Sequence, residues 1–307
     1  MDLVDLALAE DLGPQAVGVG LGLEGDITSR AFIPESSVSS AKIVARAACV
    51  ASGLAVAREV FRRIDPSLTV NAACSEGDSL KPGALLFEVT GSTRSILSGE
   101  RTALNFLGRL CGIATLSRRY ADNLANALAA AGSGTGTEVK LLDTRKTTPG
   151  WRALEKQAVQ AGGCVNHRMG LYDAVLVKDN HLAALGDLSL LPPVIARLRS
   201  EHPGLPIEIE ADTLEQVERL LVMPGIDVIL LDNMSPELMI RAVALRAALA
   251  PGVLLEASGG VTLESLGKIA QTGVDRISVG ALTHSAMNAD LSLELSPKEQ
   301  RALTHAG

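Results

Sequence analysis

The chain has 307 residues, enough to bury a large core as two modest domains or as one barrel with an extension. Hydrophobic residues make up 47% and charged residues 21%, which excludes wholesale disorder. A formal net charge of −7 and an aromatic content of 2% leave neither the basic surface nor the stacking platforms that nucleic-acid binding requires. Cys49, Cys74, Cys111 and Cys164 are widely spaced and form no CxxC pattern, so reduced thiols are expected rather than a zinc site or a disulfide framework. The acidic start, Met1 to Asp5, lacks the basic segment of a signal peptide, and no apolar run reaches spanning length. The expected location is the cytoplasm.

In chain order, residues 13–25 are glycine-rich and predict no regular element. Ala41–Ala47 and Leu85–Val89 read as antiparallel strands, with turn signals at Glu76-Gly77-Asp78 and Lys81-Pro82-Gly83. Between them, Leu54, Ala57, Arg58 and Phe61 recur at helical spacing. Ser98–Ala131 predicts a long helix with Leu104, Leu107, Leu110, Ile113 and Ala114 on one stripe, bent or divided at Gly108 and Gly112. Ala130–Thr137 predicts a loop. From residue 139 a rhythm sets in: short, largely apolar runs at 139–142, 174–177, 206–209, 227–231, 253–255 and 277–279, separated by helical segments such as Leu214-Val217-Leu220-Leu221 and Leu238-Ala242-Leu245-Leu249. This alternation predicts parallel strands with helical crossovers, arranged as a barrel rather than an open doubly wound sheet. Asp290–Leu295 alternates like a strand and is expected to return to the first domain. The predicted boundaries are 1–112 for the first domain, joined by 289–307, and 113–288 for the barrel.

Each barrel strand ends in chemically pointed residues: Asp143-Thr144-Arg145-Lys146, Lys178-Asp179-Asn180, Glu210-Ala211-Asp212, Asp232-Asn233, Ser258-Gly259-Gly260 and Gly280-Ala281-Leu282-Thr283. In a barrel these exits converge on one rim. Arg145, Lys146, His167, Arg168 and Lys178 gather potential cations there in an otherwise acidic chain, which points to a ligand carrying several negative charges.

Three stretches carry a resemblance: Leu142-Asp143-Thr144-Arg145-Lys146-Thr147-Thr148-Pro149-Gly150, Asn166-His167-Arg168-Met169-Gly170-Leu171-Tyr172-Asp173 and Lys178-Asp179-Asn180-His181. With Gly25-Asp26-Ile27-Thr28, Gly99-Glu100-Arg101-Thr102-Ala103-Leu104-Asn105, Leu230-Leu231-Asp232-Asn233, Glu256-Ala257-Ser258-Gly259-Gly260 and Val279-Gly280-Ala281-Leu282-Thr283-His284-Ser285, the chain resembles the quinolinate phosphoribosyltransferases over nearly its whole length. Cys164 stands where that family usually has a third glycine, and residues 14–24 look like an insertion. The resemblance implies an N-terminal α/β sandwich with an open, incomplete (β/α) barrel, the type II phosphoribosyltransferase fold. It implies a homodimer or a hexamer (a trimer of dimers) in which one subunit's N-terminal domain completes its partner's site. The implied reaction joins quinolinate to phosphoribosyl pyrophosphate with Mg²⁺, giving nicotinate mononucleotide, pyrophosphate and CO₂.

Carried over residue by residue, the substrate-binding set is Arg101 (from the partner), Thr144, Arg145, Lys146, His167, Arg168, Lys178, Glu210 and Asp232. Within it Lys146, Lys178, Glu210 and Asp232 are the catalytic positions, and Glu210 and Asp232 the metal ligands. Ser258, Gly259, Gly260, Val279, Gly280 and Ala281 form the phosphate site. The residue types suit these roles. Guanidinium forks bind carboxylates bidentately, carboxylates suit Mg²⁺ or ribose hydroxyls, and glycine-rich strand-to-helix turns offer backbone N–H groups to phosphate. Asp232 could instead cap the following helix, but Ser235 is the more natural cap. Rival readings are a molybdenum-transport-associated homologue, a nicotinate-type phosphoribosyltransferase that does not decarboxylate, and a non-catalytic sensor of anionic metabolites. Intact Arg145, His167, Arg168 and Lys178 argue against the first, and retained Glu210 and Asp232 against the last.

Overall fold

A computed structural model describes residues 2–21, 23–131 and 139–297. The strands among them are, in chain order, β1 Val38–Ala45, β2 Cys49–Val50, β3 Thr69–Ala72, β4 Ser79–Leu80, β5 Leu85–Ser92, β6 Lys140–Leu142, β7 Val175–Val177, β8 Ile207–Ala211, β9 Val228–Asp232, β10 Leu254–Ser258, β11 Arg276–Ser278 and β12 Leu291–Pro297. Contacts divide the chain into two units, Met1–Thr115 with Ala286–Gly307, and Leu116–Ser285. Most of the loop expected at Ala130–Thr137, and the end of the C-terminal segment from residue 298, lie outside the described residues.

The first unit is built on an antiparallel sheet in the order β12-β1-β5-β3. Alternation in β1 buries Ser39, Ala41, Ile43 and Ala45, the period-two pattern of a strand with one covered face. The expected return strand is present: β12 pairs with β1, with Leu291 opposite Ala45. Helix Leu54–Ile64 buries Leu54, Ala57, Val60, Phe61 and Ile64. It approaches the long helix Thr93–Ala130 closely where Gly99 leaves space, since a Cβ there would lie 2.8 Å from the Phe61 ring. A first helix, Leu3–Leu12, opens the unit with Asp2 as its cap, and Asp26 caps a short helix Ile27–Phe32 after the glycine-rich stretch.

The long helix begins at Thr93, earlier than its periodicity suggests, and runs unbroken to Ala130. Of the two expectations for Gly108 and Gly112, a bend or a division, the unbroken helix excludes the division. These glycines serve close approach instead: the Gly108 carbonyl accepts the Ala289 N–H at 2.8 Å, and a Cβ on Gly112 would lie 2.0 Å from the Met287 carbonyl oxygen. The missing side chains make room for the backbone that leads into β12.

In the second unit the all-parallel sheet has the order β6-β11-β10-β9-β8-β7. The first strand neighbours the last, as in a closed barrel, but β6 and β7 do not pair, so the barrel is open at one seam. Among the described residues an isolated bridge, Leu142 with Val165, extends beside β6. Ile207, Ile209, Ile229, Leu231, Leu255, Ala257 and Ile277 are buried on one side of this sheet. Each large side chain among them contributes on the order of 1.5–3 kcal/mol of burial. The opposite side carries Leu176, Glu208, Glu210, Leu230, Glu256 and Arg276, aligned by the parallel register. No helix among the described residues is long and apolar enough to cross a membrane.

Candidate active site

The carboxyl ends of the second unit's strands surround a cavity of about 820 Å³. Its lining includes Thr144, Arg145 and Lys146 after β6, His167 and Arg168 before β7, Lys178 after β7, Glu210 at the end of β8, and Asp232 at the end of β9. The rim is completed by Ser258, Gly259 and Gly260 after β10, and by Gly280 and Ala281 after β11. Two expected residues lie elsewhere. Arg101 is exposed on the long helix of the first unit. Val279 is 1% exposed and its N–H is committed to the Leu142 carbonyl at 2.8 Å, so it has no donor left for a phosphate.

Burial and a shared sign govern the cationic side. The Arg168 guanidinium is held below its ordinary value by burial first and by the neighbouring Arg145 second. Arg145 Nε is buried and has no hydrogen-bond partner. An unpaired buried donor costs about 1–3 kcal/mol, which an anionic ligand would relieve. Lys146 is exposed at the rim, its carbonyl accepting from Thr283 Oγ1 at 2.8 Å and its N–H donating to Thr144 Oγ1 at 3.1 Å.

On the acidic side, Glu210 is 6% exposed and accepts from Lys178 Nζ at 3.0 Å. Lys178 thus pairs with a carboxylate of the neighbouring strand. Its side chain is 49% exposed, so the pair contributes little to stability and leaves the ammonium within reach of a ligand. Asn233 donates to Asp232 Oδ2 at 2.8 Å. Carboxylate oxygens of Glu210, Asp212 and Asp232 all lie within 4.8 Å of one another. Hard oxygen donors gathered this way fit Mg²⁺. Ser235 caps helix Pro236–Leu249 by accepting from Leu238 N–H, which leaves Asp232 free of that duty.

The glycine turns are shaped by close approach. Gly259 (φ +93°) and Asn233 (φ +51°) both adopt left-handed backbone, and a Cβ on Gly259 would lie 2.2 Å from Asn233 Oδ1. Gly260 (φ +60°) has open space where its Cβ would stand.

Around this lining lies a buried polar layer in which the motif residue Asp143 meets partners that had been given no role. Asp143 is 0% exposed and Lys156 1%. Lys156 Nζ donates to Asp143 Oδ1 at 2.5 Å and to the His167 carbonyl at 3.0 Å, while the His167 N–H donates to the same Asp143 oxygen at 2.7 Å. Burial pushes the Asp143 carboxyl up, opposed by Lys156. The only sequence signal for Lys156 was its place on helix Arg152–Ala161, on the face that also buries Val159. Glu208 and Glu256 are buried as well, and Glu256 also lines the cavity.

The sequence profile for the C-terminal domain of quinolinate phosphoribosyl transferase matches residues 113–294, and the profile for its N-terminal domain matches residues 26–111. The chain belongs to the quinolinate phosphoribosyl transferase family. It is 40% identical to the nicotinate-nucleotide pyrophosphorylase (carboxylating) of Mycobacterium leprae, over 96% of each chain. With quinolinate phosphoribosyltransferase (decarboxylating) 1b of Nicotiana tabacum it shares 37% identity, over 95% of this chain and 81% of that one. The solved nicotinate-nucleotide pyrophosphorylase of Francisella tularensis superposes with a TM-score of 0.83 at 33% identity, covering 96% of this chain and 95% of that one. The expected family and fold class, an N-terminal α/β unit with an open barrel, are thus borne out.

Proposed function

We propose that this chain transfers the phosphoribosyl group of phosphoribosyl pyrophosphate to quinolinate and releases CO₂, giving nicotinate mononucleotide and pyrophosphate. The observation that carries this reading is one cavity lined by the cations Arg145, Lys146, Arg168 and Lys178 together with the carboxylates Glu210 and Asp232. In the overall change, the pyridine nitrogen bonds to C1 of the ribose as the C1–oxygen bond to pyrophosphate breaks. The carboxylate at C2 then departs as CO₂, and C2 takes up a proton.

Arg145 and Arg168 bind the two carboxylates of quinolinate, and the unpaired Arg145 Nε supports an anion at that point. Lys178 and Lys146 supply compact positive charge to carboxylate and pyrophosphate oxygens. Glu210 and Asp232 face the ribose, where carboxylates offset the positive charge that develops on the sugar. With Asp212 they would hold Mg²⁺, which when bound neutralises pyrophosphate charge. The turns at Ser258-Gly259-Gly260 and Gly280-Ala281 present N–H groups to the 5′-phosphate. Arg101, exposed on the first unit, acts in the site of a partner copy, which makes the working enzyme at least a dimer.

The direct test incubates the protein with quinolinate, phosphoribosyl pyrophosphate and Mg²⁺ and detects nicotinate mononucleotide and CO₂. Quinolinate should be preferred to nicotinate by about 10⁴ in kcat/KM, because a site built for two carboxylates is left with unpaired buried groups when one is missing. Comparable kcat/KM values for the two acids would contradict the reading.

A further inference from the structure

Helix Arg152–Ala161 turns a polar face toward the segments that border the cavity. Arg152, Glu155 and Lys156 stand at helical spacing on that face, and each reaches such a segment. Arg152 donates to Thr147 Oγ1 at 3.0 Å and to the Met169 carbonyl at 3.2 Å. Glu155 accepts from the Thr148 N–H at 3.2 Å and from its hydroxyl at 2.8 Å. Lys156 donates to the His167 carbonyl at 3.0 Å and to Asp143 Oδ1, which also accepts the His167 N–H at 2.7 Å.

The bonds around Asp143 close on themselves. With its nitrogen turned to the acceptors around it, the Asn166 amide donates to Asp143 Oδ2 at 2.9 Å and to the Lys156 carbonyl at 2.9 Å. The Asp143 N–H donates to the Val165 carbonyl at 3.1 Å, and the Val165 N–H to the Leu141 carbonyl at 2.8 Å. The end of β6 is thus laced to residues 165–167. Asp143 and Lys156 are 0% and 1% exposed. Neither they nor Asn166 line the cavity, whereas Arg145, His167 and Arg168, one or two residues away, do.

We propose that Asp143, Lys156 and Asn166 are positioning residues: they clamp the main chain at 166–167 to the end of β6 and so set the spacing of the Arg145 and Arg168 guanidinium groups that a dicarboxylate bridges. The inference rests on the reading of the site as a quinolinate site. Two cations that share a site repel each other, and burial strengthens the repulsion. After burial itself, Arg145 is the main influence that lowers the Arg168 pKa, so the two are close enough for this force to act. The segments that carry them need a tie that holds before the ligand arrives. A buried ion pair is by itself weak evidence of stability, because desolvation offsets much of the attraction. This pair does what an apolar pair of the same size could not: it satisfies both the N–H and the carbonyl of the residue just before Arg168. The two charges cancel, so the clamp adds no net charge to the anion site.

The test compares ligands with two carboxylates and with one. Calorimetric titration of the wild-type chain should show tighter binding of quinolinate and benzene-1,2-dicarboxylate than of nicotinate and benzoate. In Asn166→Ala and in Lys156→Met the two dicarboxylates should weaken about tenfold and the two monocarboxylates less than about twofold. Asn166→Ala keeps the ion pair, so it decides the matter even where a melt shows that Lys156→Met fails to fold. Combined with Arg168→Ala, Asn166→Ala should add little further loss of dicarboxylate binding, because it acts through that side chain. A merely structural role predicts a lower Tm with the dicarboxylate preference unchanged, and a direct contact of Asn166 with ligand predicts losses that multiply with those of Arg168→Ala. Either outcome overturns the proposal. A wild-type chain that binds both classes equally overturns the reading of the site and the proposal with it, whereas a preference present in the wild type and kept in Asn166→Ala overturns the clamp alone.

Discussion

Lys178 concentrates the chemistry of the rim in one side chain. It follows β7 and reaches Glu210 on the neighbouring strand, yet about half of its side chain is open to solvent. Such a pair adds about 0–1 kcal/mol to stability, whereas a charge-assisted contact to substrate is worth about 1.5–3 kcal/mol. Lys178→Ala should therefore leave Tm nearly unchanged and lower kcat/KM about 10- to 100-fold. Melts and steady-state kinetics on the single variant check this, and near-wild-type kcat/KM would remove Lys178 from the site. At this scale the sequence was legible wherever a polar residue broke off an apolar run, as at Lys178, Glu210 and Asp232. It was not legible at Glu208 and Glu256. Ile207-Glu208-Ile209-Glu210 alternates as a strand with one wet face does, but both faces of β8 are buried, because the barrel interior replaces solvent on the acidic side. Lys156 was hidden in the same way, as a lysine on a helix that reads like a surface charge until Asp143 is found beneath it.

Among the elements, the long helix Thr93–Ala130 shows how a glycine can be misread. Glycine in a helix suggests a break when only propensity is weighed, but tertiary contact decides at Gly108 and Gly112. The two positions should respond differently to alanine. Gly112→Ala places a Cβ 2.0 Å from the Met287 carbonyl oxygen and should destabilise the protein by about 1–3 kcal/mol. Gly108→Ala meets the Ala289 oxygen at 3.4 Å, and its better helix propensity of about 0.5–1 kcal/mol should offset the crowding. Urea unfolding of the two variants distinguishes them, and equal effects would contradict the account. Helix Leu54–Ile64 carries a second test. Glu59 accepts from Arg62 and Arg63 at 2.6 Å, and the Arg62 hydrogen bond is the main influence that lowers its pKa from 4.5 to about 2. A depressed carboxylate stabilises the fold fully above its unfolded value and loses that contribution as pH falls toward its folded one. The Tm difference between wild type and Glu59→Gln should accordingly be constant near neutral pH and close between about pH 4.5 and about pH 2. A difference unchanged across that window would show that the ion pairs do not carry it.

For the whole molecule, strand rhythm and the chemistry of the exits were enough to read a barrel, because each exit needed only local sequence. The seam between β6 and β7 was not readable. Both strands look like their neighbours, and β6 pairs with β11, far from it in sequence, which local sequence does not reveal. Arg101 poses the corresponding question beyond one chain. If it serves a partner's site, mixing inactive Arg101→Ala with inactive Lys178→Ala subunits should restore some activity, because a hybrid assembles one intact site. Verified subunit exchange without recovery would place Arg101 outside the reaction.

The open seam also bears on how the protein behaves at high concentration. A closed barrel has no free edge, but this sheet has two, and a free edge can recruit any strand that meets it. Here the edge strands β6 and β7 are three residues each, the shortest in the sheet along with β11. Exposed Lys140 lies on β6, Lys178 follows β7, and Val165 covers part of the β6 edge. An edge this short and this charged offers an incoming strand few hydrogen bonds and a lysine to desolvate, so the open seam does not become a template for aggregation.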